Sequence, residues 1–176
     1  MQFENFTIRH PLQNDAKDFF ELIESNRKRL ESFFAGTVSR TKTLLDTEIY
    51  TAEIITKIDK RIYFPFLVID NNNQKIAAFV DVKNIDWNIP KAELGCFADS
   101  HYEGKGVASK AMKMVIQVLF EEMGFNKLFL RTHQSNKAAI SLAEKSGFEV
   151  EGILRSDYKT TNGELVDLIY YGLLKK

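Results

Sequence analysis

The segment AELGCFADSHYEGKGVASKAM, residues 92–112, decides the fold of this 176-residue chain. Its first part alternates apolar and polar residues as a β-strand does, and its last part begins an amphipathic helix. Between the two, Gly104 and Gly106 flank Lys105. A glycine loop at a helix N-terminus presents unpaired backbone N–H groups and the positive end of the helix dipole at one place. The segment therefore predicts an anion site, for which phosphate is the natural ligand.

The loop fits neither of two common phosphate-binding patterns. The P-loop pattern is absent because neither Ser nor Thr follows Lys105, and the dinucleotide pattern lacks its third glycine, which is Ser109 here. Gly104 and Gly106 still allow close backbone approach, and Lys105 and the Ser109 hydroxyl add polar groups at the rim. A small nicotinamide-dinucleotide protein, using Arg131 for a 2′-phosphate, stays open as an alternative.

The residues on either side extend this core into a single predicted domain over residues 1–176. The first half is predicted to contain a strand around Phe6 and Ile8, a helix capped by Asp15, a short helix and mobile loop over 26–40, and a helix over 42–58. A hairpin over 63–70 and 76–85 and a strand over 91–99 follow. The second half is predicted to contain a helix from Val107 towards Gly124, a strand over 125–133, a helix over 135–148 and two terminal strands joined by a Thr-Asn-Gly turn. Strands and helices are interspersed, which indicates an α/β fold.

The composition argues against several classes of function. Lys+Arg and Asp+Glu both number 24, so there is no general field to attract nucleic acid or an anionic membrane. The apolar runs are far shorter than the roughly 20 residues that span a bilayer. With Cys96 as the only cysteine and no secretory signal pattern at the start, a cytoplasmic location is expected. The three histidines have no metal-site spacing, so no metal is expected.

Four segments, taken in this order, resemble the GNAT superfamily of N-acetyltransferases, and within it the RimJ/RimL-type branch that acetylates ribosomal-protein N-termini. They are FTIRHPLQNDA (6–16), the segment quoted above, NKAAISLAEKSGF (136–148) and EGILRSDYKTTNGELVDLIYYGLL (151–174). The resemblance implies a mixed, mostly antiparallel sheet that is splayed at the cofactor site and flanked by helices. It also implies transfer of acetyl from acetyl-coenzyme A directly to a primary amine, most plausibly a protein or peptide N-terminus, and it allows a homodimer.

The resemblance also assigns residues to the cofactor. It places the pyrophosphate of acetyl-coenzyme A at residues 104–109, which are Gly104, Lys105, Gly106, Val107, Ala108 and Ser109. The backbone of Phe97 and Ala98 would pair with the pantetheine arm, and the Asn136 side chain would touch it. Asn136 is also a favourable residue for a helix N-cap, and both roles are compatible. His101 stands where the family has Gln or Arg.

The proton donor expected in this family is missing. Relatives place a Ser three residues after the Asn, or a Tyr seven residues after it, but this chain has Ala139 and Ala143 there. Ser141 lies about 200° around the helix from position 139, so it does not simply replace that hydroxyl, and a small helix residue is its simpler interpretation. Cys96 as an acyl-carrying nucleophile is weighed against a small buried hydrophobe, which is the favoured interpretation.

Two carboxylates are candidates for the base. Glu93 lies in the strand before the loop, and Asp157 belongs to the Asp157-Tyr158 pair of the terminal hairpin, which resembles the Glu-Tyr pair where RimL-type relatives place their base. For each, an ion-paired surface carboxylate is the alternative. An α-amine, with a pKa of about 7.7–8.0, is already roughly a tenth neutral at pH 7, so positioning could supply much of the rate. A catalytically silent acyl-coenzyme A-binding domain, and an acetyltransferase of a small amine such as a polyamine or antibiotic, remain the alternative functions.

Overall fold

Eight strands and five helices make up the chain, and the computed structural model describes all 176 residues. The strands are β1 (Gln2–Phe3), β2 (Phe6–Arg9), β3 (Phe66–Asp70), β4 (Lys75–Asp86), β5 (Lys91–Ala98), β6 (Lys127–Thr132), β7 (Glu149–Lys159) and β8 (Leu165–Leu174). The helices are α1 (Ala16–Leu30), α2 (Ala35–Arg40), α3 (Leu44–Asp59), α4 (Val107–Glu121) and α5 (Lys137–Lys145). Every element except the two-residue β1 corresponds to one that the sequence predicts.

The strands form one sheet in the order β1-β2-β3-β4-β5-β6-β8-β7. Neighbouring strands are antiparallel except for β5 and β6, which pair in parallel over only three residues, Lys91 to Glu93. Strand β5 nevertheless continues to Ala98 beside β4. Beyond Glu93, β5 and β6 therefore separate and leave a wedge in the middle of the sheet. The predicted mixed, mostly antiparallel sheet is confirmed.

Helices cover both faces of the sheet because its central strands are apolar on both sides. In β3, Phe66 and Val68 pack in the cluster that contains α4 and α5 residues, whereas Leu67 and Ile69 pack with α1, α2 and α3. This alternation is the two-residue period of a strand, and it buries all five residues of β3. None of the five helices has both the length and the apolar character needed to cross a membrane.

The starts of the first and third helices differ in how they are capped. At α3, Thr43 Oγ1 accepts the Asp46 N–H and Asp46 Oδ2 accepts the Thr43 N–H, both at 3.1 Å, which is a capping box. Asp15 precedes α1 as predicted, but it does not cap that helix. Its carboxylate instead accepts the Leu12 N–H at 2.6 Å and pairs with Arg9 at 2.6 Å. Asp15 thus anchors the turn between β2 and α1.

The segment over 26–40 is more helical than predicted. Helix α1 continues to Leu30 and α2 begins at Ala35, so only four residues separate the two helices. Arg27 holds them together, because its guanidinium donates to the Thr41 carbonyl at 2.6 Å just beyond α2. The end of α1 is therefore fixed beside the end of β5, where the candidate site lies.

Candidate active site

A cleft of about 630 Å³ opens along the glycine loop, and we call it the loop cleft. Its walls come from the end of α1, the end of β5, the loop around residues 102–109 and α5. The predicted cofactor-binding residues that line it are Phe97, Ala98, Gly104, Gly106, Val107, Ala108, Ser109 and Asn136. Lys105 is outside the lining, because its ammonium group lies over the Tyr102 ring, 5.6 Å from the ring centroid.

The loop backbone adopts a conformation that its glycines make accessible. Gly104 and Gly106 have φ angles of 71° and 77°, in the left-handed region where a residue with a side chain is strained. The first hydrogen bond at the start of α4 joins the Lys110 N–H to the Gly106 carbonyl at 3.0 Å, and no side chain caps the helix. The N–H groups of residues 107–109 therefore have no acceptor in the helix. A Cβ on either glycine would meet nothing within 4 Å, so open space faces these donors.

Cations outnumber carboxylates in the lining of the loop cleft. Arg29, Lys137 and Lys145 are positive, and Glu103 is the one carboxylate. Arg29 pairs with Glu103 and also donates to the Ala98 carbonyl at 2.5 Å, so it ties α1 to the end of β5. The two lysines of α5 then dominate the field in the cleft. Such a lining attracts a phosphate-bearing ligand.

Asp99 fixes the chain between β5 and the glycine loop. Its carboxylate accepts the His101 N–H and the Asn26 side-chain amide, each at 2.8 Å, and His101 Nδ1 lies 2.7 Å from Asp99 Oδ1. Burial alone would raise the pKa of Asp99, but these hydrogen bonds outweigh it and hold the pKa below its usual value. The His101 side chain is 82% exposed and lies outside the cleft lining. His101 therefore shapes the turn and lines neither cleft.

Asn136 lies where α5 begins. Its Oδ1 accepts the Ala139 N–H at 3.2 Å, so it is the N-cap of α5. The Asn136 side-chain NH₂ group makes no hydrogen bond within the protein and faces space shared by two clefts. The cap therefore leaves a donor free for a ligand.

A second cleft of about 190 Å³ lies between the separated ends of β5 and β6, and we call it the strand cleft. The two clefts meet, since they share the lining residues Phe33, Phe34, Cys96, Asn136, Ala139 and Leu142. Phe34 also packs edge-on against Phe97, with 4.9 Å between ring centroids. Phe33 and Phe34, which lie between α1 and α2, line both clefts.

Arg131 joins the two candidate bases. Its Nη2 and Nε donate to Glu93 at 2.8 and 3.3 Å, and its Nη1 donates to Asp157 at 2.6 Å. Burial alone would lower the pKa of Arg131, but its hydrogen bonds to Glu93 and Asp157, and their charges, outweigh it and raise the pKa. Glu93 is buried and also accepts the Asn84 side-chain amide at 2.6 Å. With its guanidinium committed to two carboxylates, Arg131 is a poor candidate for the 2′-phosphate of a dinucleotide.

A second cation, Lys83, lines the strand cleft. Its ammonium group donates to Asp81 Oδ2 at 2.6 Å, and Asp81 is buried. Burial would lower the pKa of Lys83, but the charge of Asp81 and this hydrogen bond outweigh it and raise the pKa, so Lys83 stays protonated. The charged residues that line the strand cleft are therefore two cations, Lys83 and Arg131, and one carboxylate, Glu93.

The other predicted catalytic residues lie as follows. Ser141 lines the loop cleft only, whereas Ala139, which has no hydroxyl, lines both. Asp157 lines neither cleft and reaches the strand cleft through Arg131. Burial raises the pKa of the Cys96 thiol to about 12, which leaves almost no thiolate at neutral pH and argues against a nucleophilic role.

Three residues of these clefts escaped sequence reasoning. Arg29 and Lys83 belong to a helix and a strand whose apolar patterns dominate the sequence signal, and Tyr158 was noted only as the neighbour of Asp157. Tyr158 lines the strand cleft, and its hydroxyl is buried. The Asp157–Tyr158 pair in the resembled hairpin was the one sequence signal that pointed there.

Comparisons with known proteins agree with this geometry. Residues 5–149 match the family model of the acetyltransferase (GNAT) domain. YdaF of Bacillus subtilis (strain 168), provisionally named a ribosomal N-acetyltransferase, is 31% identical over 98% of this chain and 93% of its own length. Spermidine N(1)-acetyltransferase of Escherichia coli (strain K12) is 25% identical over 84% of this chain and 75% of its own length. The solved structure of RimL, a ribosomal L7/L12 alpha-N-protein acetyltransferase in complex with coenzyme A, superposes with a TM-score of 0.90 at 14% identity, covering 98% of this chain and 95% of that one.

Proposed function

Because this chain belongs to the GNAT family of acetyl-coenzyme A-dependent N-acetyltransferases, we propose that its acceptor is the N-terminal α-amine of a protein or peptide. The observation that carries the proposal is the charge of the two clefts that meet beside α5. The loop cleft is lined by an excess of cations and suits an anionic donor, whereas the strand cleft offers one carboxylate, already ion-paired, to an amine. The name of the YdaF relative supports the same acceptor class.

In this proposal the loop cleft holds acetyl-coenzyme A. The unpaired N–H groups of residues 107–109 and the open space beside Gly104 and Gly106 fit a pyrophosphate. The free amide of Asn136 and the backbone of β5 up to Ala98 would hold the pantetheine arm. Arg29 already donates to the Ala98 carbonyl, whose second lone pair stays available to a ligand. Lys105 would contribute at most long-range charge.

The strand cleft suits a single amine better than a polyamine. Lys83 and Arg131 both line it, so a second or third ammonium group would be repelled with no free carboxylate to bind it. The same two cations lower the pKa of an incoming ammonium group. An α-amine starts at about 7.7–8.0 and needs only a small decrease to be mostly neutral at pH 7, whereas a lysine side chain starts near 10.4.

We assign the proton acceptor to Asp157 and a positioning role to Glu93. Both oxygens of Glu93 are engaged by Arg131 and Asn84. Asp157 uses only Oδ2 for Arg131, which leaves Oδ1 without a partner, and its side chain is 31% exposed. A carboxylate with a free oxygen and access to water can accept the amine proton directly or through one water molecule. Ser141 has no role in this scheme, since it does not line the strand cleft.

The test is acetyl-coenzyme A turnover, followed as thiol release, on a matched panel of amines. The panel contains a peptide with a free N-terminus, the same peptide with a blocked N-terminus and one internal lysine, free amino acids and spermidine. We expect the free N-terminus to give the largest kcat/KM, and fragmentation mass spectrometry to place the acetyl group on the α-nitrogen.

Three outcomes would contradict the proposal. A larger kcat/KM on spermidine or a free amino acid would make the chain a small-amine acetyltransferase, as the name of the spermidine relative suggests. A larger kcat/KM on the lysine peptide would move the acceptor to side chains. Tight coenzyme A binding with no thiol release on any amine would make it a silent acyl-coenzyme A-binding domain.

A further inference from the structure

Tyr158 lines the strand cleft and carries a buried hydroxyl that has no hydrogen-bond partner. Three buried side-chain oxygens in the protein lack a hydrogen-bond partner: Asp81 Oδ1, Ser146 Oγ and Tyr158 Oη. Of these residues, only Tyr158 lines a cleft. A buried polar group without a partner costs stability, and such groups in folded proteins call for an explanation, often a functional one. The position of this hydroxyl therefore points to a partner that the protein itself does not supply.

The terminal hairpin has an irregular segment directly before Tyr158. Leu154 pairs with Leu168 and Tyr158 with Val166, so three residues of β7 lie opposite the single residue Asp167 of β8. Within this bulge, Ser156 has a φ of 51° and donates its N–H to Asp167 at 2.8 Å. A bulge of this kind bends its strand and redirects side chains.

At the bulge, the consecutive residues Asp157 and Tyr158 both lie at the strand cleft, one through a contact and one in its lining. In a regular strand, adjacent side chains point to opposite faces. Here Asp157 contacts Arg131, which lines the strand cleft, and Tyr158 lines the same cleft itself. The bulge thus accompanies an arrangement in which Tyr158 lines the cleft and Asp157 contacts a residue of its lining.

Tyr158 lines the cleft in which the hydroxyl that relatives carry at position 139 is missing. Tyr158, Asn136 and Ala139 line one cleft, and the loop cleft joins it at Asn136 and Ala139. Ala139 has no hydroxyl, Ser141 lines only the other cleft, and burial raises the pKa of the Cys96 thiol to about 12, which makes it a poor donor. Three hydroxyl-bearing side chains line the strand cleft, Ser32, Thr132 and Tyr158, and the Tyr158 oxygen is the one that is buried without a partner.

We propose that Tyr158 is the proton donor to the departing sulfur, a role that rests on the acetyl transfer proposed above. The amine nitrogen bonds to the thioester carbonyl carbon, and collapse of the tetrahedral intermediate breaks the C–S bond, with the electron pair passing to sulfur. The Tyr158 hydroxyl gives its proton to that sulfur and releases coenzyme A as the thiol. The amine proton leaves to the Asp157 carboxylate or to water, and the phenolate regains a proton from solvent. In balance, one proton moves from nitrogen to sulfur.

The test compares Tyr158→Phe with the wild-type protein on the best amine of the panel. We expect kcat to fall about 10- to 100-fold, at or below the lower limit of the roughly 10²- to 10⁴-fold range for general acid–base catalysis, because a thiolate is already a fair leaving group. The KM of acetyl-coenzyme A should change less than about twofold. The melting temperature should not fall, because the change removes an unpartnered buried hydroxyl and keeps the ring. Lower activity with undiminished stability distinguishes a functional hydroxyl from a structural one.

The pH profile gives an independent readout. If Tyr158 donates the proton, wild-type kcat should show a decline at alkaline pH that Tyr158→Phe lacks. Incorporating 3,5-difluorotyrosine, a more acidic phenol, at position 158 should move the decline to lower pH. Tyr170→Phe is the matched control, because Tyr170 stacks on Phe129 and lines neither cleft. It should keep both kcat and the decline.

The outcomes separate this role from the proposed function. If the wild type turns over an amine and Tyr158→Phe keeps kcat within about twofold, or raises only the KM of the acceptor, Tyr158 is not the donor while the acetyltransferase stands. A lower kcat that retains the alkaline decline overturns the role as well. A wild type that acetylates no amine overturns the proposed function, and the role of Tyr158 with it.

Discussion

Replacing Gly106 by alanine tests the phosphate site through a conformational change of known cost. Gly106 lies at φ 77° and ψ 0°, and a left-handed conformation costs a residue with a side chain about 1–2 kcal/mol. The new Cβ would meet no atom within 4 Å, so no clash adds to this cost. For a chain of this size, each kcal/mol lowers the melting temperature by about 2–4 °C, and we expect a decrease of about 2–8 °C.

The same substitution should weaken coenzyme A binding much more than it weakens the fold. The methyl group would enter the open space beside Gly106, the residue that directly precedes the unpaired N–H groups of residues 107–109. A hydrogen bond to a charged group is worth about 1.5–3 kcal/mol, so loss of one bond from pyrophosphate should raise the Kd about 10- to 150-fold. Calorimetric titration with coenzyme A, well below both melting temperatures, measures this change.

Gly124→Ala is the matched control at the other end of the same helix. Gly124 has a φ of 81°, and its Cβ would also meet nothing within 4 Å, so the conformational cost should be similar. It lines neither cleft. We therefore expect Gly124→Ala to lose comparable thermal stability and to bind coenzyme A as the wild type does. Equal coenzyme A affinity in the two variants, whatever its value, would refute the assignment of the loop to pyrophosphate.

Three further predictions concern single side chains. Asp157→Asn should lower kcat and flatten the acidic side of the kcat profile, while Glu93 keeps Arg131 in place; an unchanged profile would remove Asp157 as the proton acceptor. Asp99→Asn should lower the free energy of unfolding by about 1–2 kcal/mol at pH 7. Hydrogen bonds lower the pKa of Asp99 despite its burial. The difference in the free energy of unfolding should therefore be present above the pKa of Asp in the unfolded chain, about 3.9, and disappear as pH falls through the pKa of Asp99 in the folded protein. Urea titrations at pH 7 and at steps below pH 4 would measure this change. Because burial raises the pKa of the half-buried Cys96 thiol to about 12, iodoacetamide should alkylate it much more slowly at pH 8 than an ordinary thiol, and equal rates in folded and unfolded protein would contradict this shift.

The elements that carry a strong local pattern were predictable from the sequence. The turn over 71–75, the alternation before the glycine loop and the helical spacing after it gave β3, β4, β5 and α4 with errors of a few residues. Strand β1 is only two residues long, which is too short to show any period. Asp15 has the residue type and the position of a helix cap, but Arg9 and the Leu12 N–H take its carboxylate. Only the tertiary structure decides that competition.

The loop cleft was more predictable than the strand cleft, for a physical reason. The glycine loop and the helix after it are adjacent in sequence, so local geometry alone presents the N–H groups. At the strand cleft, Arg131 on β6 joins Glu93 on β5 to Asp157 on β7, and the three residues are distant in sequence. Their meeting depends on the sheet order, in which β8 lies between β6 and β7, and on the bulge before Tyr158. No periodicity in the sequence encodes either feature.

The separation of β5 and β6 accounts for both the donor and the acceptor side of the proposed reaction. Past Glu93 the two strands no longer pair, so the backbone at the end of β5 is free on one side for a ligand from the loop cleft. The same gap admits an amine from the strand cleft, whose carboxylate is already held by Arg131. An acceptor therefore gains little from being highly charged and more from being neutral near pH 7. Among biological primary amines, the α-amine of a polypeptide comes nearest to that condition, which is why the charge of the strand cleft favours a protein N-terminus.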